Sequence, residues 1–193
     1  VLNNDVEIIT ESWLEEMLQL CQQKDVGMAG AKLYYPDDTI QHAGVVVGLG
    51  GVAAHVLCKL PRDAEGYMGR LRCVQEISAV TAACMMVKTS VFKAVGGFDE
   101  ELKVAFNDID LCMKVRKYGV KIVFTPYAEL YHYESKSRGM EDTPEKQLRF
   151  SREVNCFRRK WERELLKGDP YYNPNLTLNN TDCSLRKQEK NGD

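Results

Sequence analysis

Three places in the sequence join acidic or imidazole groups to a strand end or a helix start. Asn3-Asn4-Asp5 closes what reads as the end of a buried strand. Ligands of open α/β sheets gather at the carboxyl ends of strands. A divalent cation carrying a diphosphate needs only one or two carboxylates there, because phosphate and water complete its shell. Asn and Asp are also ordinary turn residues, so the tripeptide alone reads first as a plain turn. Phe106-Asn107-Asp108-Ile109-Asp110-Leu111 opens a helix. Asn107 reads as its cap, and Asp108 and Asp110 as first-turn acids that complement the helix dipole. The sharper reading has Asp108 project from the helix start into a cleft as a general base. Tyr131-His132-Tyr133-Glu134 ends a short strand, where His132 is either a ligand or a structural histidine. His42 and His55 have less context, although His55 borders a long loop that could meet substrate.

The elements that must hold these groups follow from periodicity. Trp13, Leu14, Met17, Leu18 and Cys21 recur at helical spacing with Thr10 as a candidate N-cap. Val26 to Tyr34 reads as a buried strand, and Ile40 to Val47 as another, interrupted by Gly48 to Gly51. Ala53 to Val74 loses its periodicity and reads as a long surface loop with one helical turn. Ile77 to Val87 is apolar again, and Thr89 or Ser90 caps a short helix that stops at Gly96-Gly97. The helix from Asn107 to Tyr118 ends at Gly119. Lys121 to Thr125 is a strand ended by Pro126, and Glu129 to His132 a further short one. Thr143-Pro144 starts a last helix with Phe150, Val154, Phe157, Trp161 and Leu165 as its apolar stripe. Strands alternating with helices make an α/β chain, a mixed sheet flanked by helices.

Composition narrows the function. With 193 residues, 44% of them hydrophobic, the chain can bury a core. A formal charge of −2 gives no basic field for nucleic acid. No apolar run approaches the roughly 18–20 residues of a membrane span. The seven cysteines are scattered and never form C-x-x-C, which points to reduced thiols in the cytoplasm. Two Asn-x-Thr matches, at Asn175 and Asn179, read as chance.

Order makes these pieces specific. Leu2-Asn3-Asn4-Asp5, Val80-Thr81-Ala82-Ala83-Cys84-Met85-Met86-Val87, Val91 to Glu100, Asn107 to Cys112 with Arg116 and Gly119, and Tyr131-His132 follow one another along nearly the whole chain. The series resembles family 2 glycosyltransferases of the GT-A fold, with bacterial members that make rhamnosyl and related transfers to surface polysaccharides. The resemblance implies an inverting transfer from a nucleotide-diphospho-sugar to a saccharide or glycolipid acceptor, with Mg2+ or Mn2+ as cofactor. It implies that Asp5 is the last acid of a D-x-D-like metal motif. Asn3 stands on the cofactor side of that motif, where many relatives have Asp. His132 completes the metal shell, and Asp108 is the catalytic base. Asn107, in place of the usual Glu, and Asp110 support the acceptor side, while Ala82, Ala83 and Cys84 line the acceptor pocket. Ala82 stands where many relatives carry Gly.

The same resemblance implies that residues 1–168 are the metal- and acceptor-binding part of a larger domain whose nucleotide-binding half precedes Val1. Residues 169–193 form a polar, partly disordered tail. A piece cut this way is expected to lack activity alone and to self-associate, as a homodimer, through uncovered apolar edges. The expected location is the cytoplasm, up to the inner face of the membrane. Two rivals stand beside the transferase. One is a non-catalytic sugar-binding or scaffold module, favoured by the Asn residues at positions 3 and 107. The other is a nucleotidyltransferase, which would need a glycine-rich phosphate loop.

Overall fold

A computed structural model describes residues 1–133 and 143–187. In chain order the elements are β1 (Val6–Ile8), α1 (Trp13–Cys21), β2 (Val26–Tyr34), β3 (Ile40–His42), β4 (Val45–Val47) and β5 (Ala53–His55). They continue with β6 (Gln75–Glu76), β7 (Met85–Val87), α2 (Thr89–Ala94), α3 (Asn107–Lys117), β8 (Lys121–His132), α4 (Pro144–Lys160) and α5 (Glu162–Lys167).

Two long parallel strands, β2 and β8, form the spine of the main sheet. Short antiparallel strands flank them: β7 and then β3 along β2, β6 and then β1 along β8. Side chains of the spine alternate between faces, as the two-residue period of a strand requires. Ala29, Ala31, Leu33, Val123, Ala128 and Leu130 pack under Met17, Leu20 and Cys21 of α1. Met28, Tyr34, Ile122 and Phe124 face the other way, into the larger core with Ile109, Cys112 and Val115 of α3. All nine residues of β2 are buried, which explains a sequence that is apolar but for Lys32, whose ammonium donates to the Leu71 carbonyl at 3.2 Å. Gly30 belongs there because a Cβ would lie 2.2 Å from Val80 Cγ1.

Several sequence expectations change on contact with the structure. β8 runs straight through Pro126. The pairing with β2 shifts register between Gly30 and Lys32, opposite this stretch, so the missing proline N–H breaks no regular ladder. Ile40 to Val47 is two strands, parted at Gly44 with φ +105°, and the second leaves the main sheet to pair with β5. The stretch from Ala53 to Val74 is no mere surface loop, since Val56, Leu57 and Leu71 are buried. Only Met85 to Val87 of the apolar 77–87 run is strand.

The caps differ too. Thr10 does not cap α1: its hydroxyl accepts from Glu129 N, and the helix starts after Ser12. Lys88 precedes α2, so Thr89 is that helix's first residue. Thr143 does cap α4, its hydroxyl accepting from Lys146 N at 3.3 Å, with Pro144 in the first turn. Part of the tail is packed: Tyr172, Leu176 and Cys183 are buried, and Leu176 bridges Leu185. Glu134 and residues 188–193 lie outside the described residues.

All seven cysteines are free thiols. No helix among the described residues is long and apolar enough to cross a membrane. Apolar side chains are exposed at Leu2, Ile8, Leu14 and Leu18, around β1 and α1.

Candidate functional site

The carboxyl end of β8 carries His132, and β1 lies beside it, with Val6 paired to His132. Asp5 directly precedes β1, and its backbone carbonyl accepts from Tyr133 N at 2.8 Å. This pairing brings the Asp5 carboxylate to His132, Oδ1 to Nε2 at 3.3 Å, although the two residues lie far apart in sequence. The Asn3 amide lies 3.2 Å from the same ring nitrogen. Three of the anticipated residues therefore meet at one strand end, where a parallel pair of strands offers its ligands.

The other half of the site is attached through one peptide segment. Asn3 N donates to Ala83 O at 3.0 Å, and Leu2 bridges Cys84. The neighbouring Ala82 N donates to Asp108 Oδ2 at 3.2 Å. Asp108 Oδ1 also accepts from Ile109 N at 2.8 Å. A hydrogen-bonded path thus runs from His132 through Asn3, Ala83 and Ala82 to Asp108, and its middle step is one pair of adjacent residues. A carboxylate has about four lone-pair positions, so Asp108 keeps acceptor capacity beyond its two backbone bonds. It is half-buried, reachable by a substrate.

The helix start that presents Asp108 is unusual. The residue before α3 is Phe106, not Asn107, and it holds a left-handed φ of +62° with no side-chain cap. Asn107 is the first helical residue. A bulky residue in that region is strained and persists only where its surroundings enforce it. Two features enforce it here. The Phe106 ring packs on Phe157 and Phe150 of α4, centroids 5.3 and 5.8 Å away. Glu153 of α4, itself buried, accepts from the backbone N–H groups of Lys103, Val104 and Ala105 at 3.1, 3.2 and 2.8 Å. Sequence reasoning gave Glu153 no role. The signal was there: an acid inside the apolar stripe of α4, between Phe150 and Phe157.

Two anticipated acceptor contacts have other partners. Asp110 is fully buried and points away from Asp108, because residues two apart on a helix face opposite sides. Its carboxylate accepts from Trp161 Nε1 at 2.8 Å and pairs with Lys160 at 2.7 Å and Lys114 at 3.2 Å. That clamp fastens α3 to the α4–α5 junction and leaves no side for an acceptor. Cys84 is buried against Met17, and burial pushes its thiol up to about 12, so it is core rather than pocket lining. Ala83 is buried as well, whereas Ala82 is partly exposed. His55 packs against His42 and the Gln41 carbonyl.

Oxygen and nitrogen donors at the strand end suit a divalent cation. Asp5 Oδ1 is buried and accepts no hydrogen bond among the described residues, so a carboxylate oxygen without a donor is held beside an imidazole nitrogen. No group of three His, Cys, Asp or Glu side chains that could hold a metal occurs among the described residues. The chain could therefore offer two ligands, as befits a cation whose remaining shell comes from phosphate and water. A cleft of about 590 Å³ opens elsewhere, at the far end of α3, lined by Arg116, Lys117, Trp161 and Tyr171 among others.

The model of glycosyltransferase like family 2 matches residues 1–152. The chain belongs to this family. Its mixed sheet flanked by helices is of the GT-A glycosyltransferase type. Among curated relatives, the chain is 57% identical over 186 residues to the uncharacterized protein y4gI of Sinorhizobium fredii, covering 96% of this chain and 20% of that protein. It is 39% identical over 193 residues to the O-antigen biosynthesis protein RfbC of Myxococcus xanthus, covering 100% of this chain and 15% of that one. A shorter match, 36% over 62 residues, covers 32% of this chain and 20% of the N-acetylglucosaminyl-diphospho-decaprenol L-rhamnosyltransferase of Mycobacterium tuberculosis. The chain thus spans about a fifth or less of the length of the first two relatives.

Proposed function

We propose that the protein carrying this chain is an inverting, metal-dependent glycosyltransferase. It moves a sugar from a nucleotide-diphospho-sugar to a hydroxyl of a saccharide or glycolipid acceptor, in polysaccharide or glycoconjugate synthesis. The observation that carries this reading is the Ala82–Ala83 segment, which hydrogen-bonds to Asp108 on one side and to Asn3, beside His132 and Asp5, on the other. The names of the relatives, O-antigen biosynthesis and rhamnosyl transfer, support the substrate class. On this reading the chain supplies the metal and acceptor side of the site. The protein works in the cytoplasm, at the inner membrane face when its acceptor is a glycolipid.

The residues divide the work by position. Asp5 and His132 would hold the divalent cation, which when bound would offset the charge that grows on the departing diphosphate. Asp108 accepts the proton of the acceptor hydroxyl as that oxygen attacks the anomeric carbon. The new glycosidic bond forms while the bond to the diphosphate oxygen breaks on the opposite face. A single displacement of this kind inverts the anomeric configuration, by the logic that separates inverting from retaining glycosidases. Ala82 N fixes Asp108 in place, and the small side chains of this segment leave room for a sugar.

The test follows the product of the purified full-length protein. Transfer should cease with chelator, return with Mg2+ or Mn2+, and give a glycoside of configuration opposite to the donor by NMR. A product that keeps the donor configuration would overturn the single displacement, and undiminished transfer in chelator would overturn the metal.

A further inference from the structure

Gln41 is a buried polar residue that the proposed chemistry does not use. It lies on β3, while His132 ends β8 and β2 runs between them. β2 stops at Tyr34, whose partner is Tyr131, one position short of His132. Past that end the Gln41 side chain meets His132 twice. Its Nε2 donates to the His132 carbonyl at 3.2 Å, and its Oε1 lies 2.7 Å from His132 Nδ1.

The first contact decides the second. Only an amide nitrogen can donate to a carbonyl oxygen, so the orientation of the Gln41 amide is fixed and Oε1 must be the atom facing the ring. Oε1 is purely an acceptor, and Nδ1 therefore carries a proton. In the neutral ring the other nitrogen, Nε2, then holds a lone pair. This is the nitrogen 3.3 Å from Asp5 Oδ1, the buried oxygen that accepts no hydrogen bond among the described residues. It is also the nitrogen toward which the Asn3 amide donates. The backbone of Gln41 is itself anchored, its carbonyl accepting from His55 Nδ1 and the Cys58 thiol, each at 3.1 Å.

We infer that Gln41 is a positioning residue, which fixes the tautomer and ring orientation of His132 so that Nε2 presents its lone pair toward Asp5 for a cation. The inference rests on the reading of His132 as a metal ligand. Groups that orient a ligating imidazole from its second nitrogen are usually worth 10–100-fold in metal affinity.

Two measurements on the 193-residue chain test it separately. The first is the 15N spectrum of the His132 ring at about pH 8.5, two units above the ordinary histidine value. Wild type should show a protonated Nδ1 and a pyridine-type Nε2, and Gln41→Leu should give a mixture of tautomers. Gln41→Glu keeps an acceptor and should restore the single tautomer. A wild-type ring protonated at Nε2, or a spectrum unmoved by Gln41→Leu, overturns the inference without any metal present. The second measurement is the broadening of the His132 signals by Mn2+ alone. Its midpoint should rise at least about tenfold in Gln41→Leu and recover in Gln41→Glu. An unchanged midpoint overturns the positioning role. If Mn2+ leaves wild-type His132 sharp, the metal reading itself fails, while the tautomer result still decides what Gln41 does to the ring.

Discussion

At the scale of single residues, the chain keeps two kinds of titratable group apart. Asp5 and Asp108 sit at the strand end and the helix start, partly open, with acceptor positions left for a ligand. His42 is the opposite case. It is fully buried against His55, and burial first, then the neighbouring His55 and His132, hold its pKa well below the usual histidine value. The folded protein thus keeps His42 neutral while the unfolded chain takes up a proton near pH 6.5. The unfolded state then binds more protons, so stability is full above about pH 6.5 and falls as pH drops below it, toward the lowered folded pKa. The slope is at most about 1.4 kcal/mol per pH unit for one proton. Urea unfolding at about pH 7.5 and 5.5 should show the loss, and a His42→Phe variant should show a smaller one. Equal losses in both proteins would assign the pH dependence elsewhere.

At the scale of elements, the helix that bears Asp108 is set from outside itself. α4 grips the strand-to-helix approach through Glu153 and packs Phe157 and Phe150 on the strained Phe106. Glu153→Ala leaves three backbone N–H groups without their acceptor, at a cost of about 2–3 kcal/mol. Thermal unfolding should drop by about 5–10 °C at this chain length. A change under about 2 °C, within the range expected of a surface substitution, would show that the Phe106 turn holds without Glu153. This dependence also explains what the sequence could and could not convey. Val26 to Tyr34 is legible as a buried strand because its pattern is complete within itself. The α3 helix is legible from Ile109, Cys112 and Val115, but its start is not: Asn107 has the better capping chemistry, and tertiary contacts to Phe106 and Glu153 decide otherwise. Pro126 misleads for a similar reason, since the register shift that accommodates it belongs to β2. Asp5 and His132 were legible as site candidates through the family resemblance, but the opening strand was misplaced: Asp5 does not end a buried strand, it precedes β1, which begins at Val6 and is largely exposed. Gln41 was not, because its importance lies in reaching past a neighbouring strand.

At the scale of the whole molecule, α3 joins the site to the core. Its first turn offers Asp108 to the Ala82–Ala83 segment and the strand-end residues behind it. Two positions on, Asp110, paired with Lys114 of the same helix, ties it to Lys160 and Trp161 beneath the surface. Two carboxylates separated by one residue should therefore report on different properties of the molecule. The decisive measurement compares Asp108→Asn with Asp110→Asn in the full-length protein, reading sugar transfer and thermal unfolding on both. Asp108→Asn should lower kcat by about 10²–10⁴-fold with unfolding near that of wild type. Asp110→Asn uncouples a buried charge cluster, and should cost about 3 kcal/mol and about 6–12 °C while transfer by the folded protein persists. Near-normal transfer by Asp108→Asn, or transfer abolished by Asp110→Asn at wild-type stability, would contradict the account.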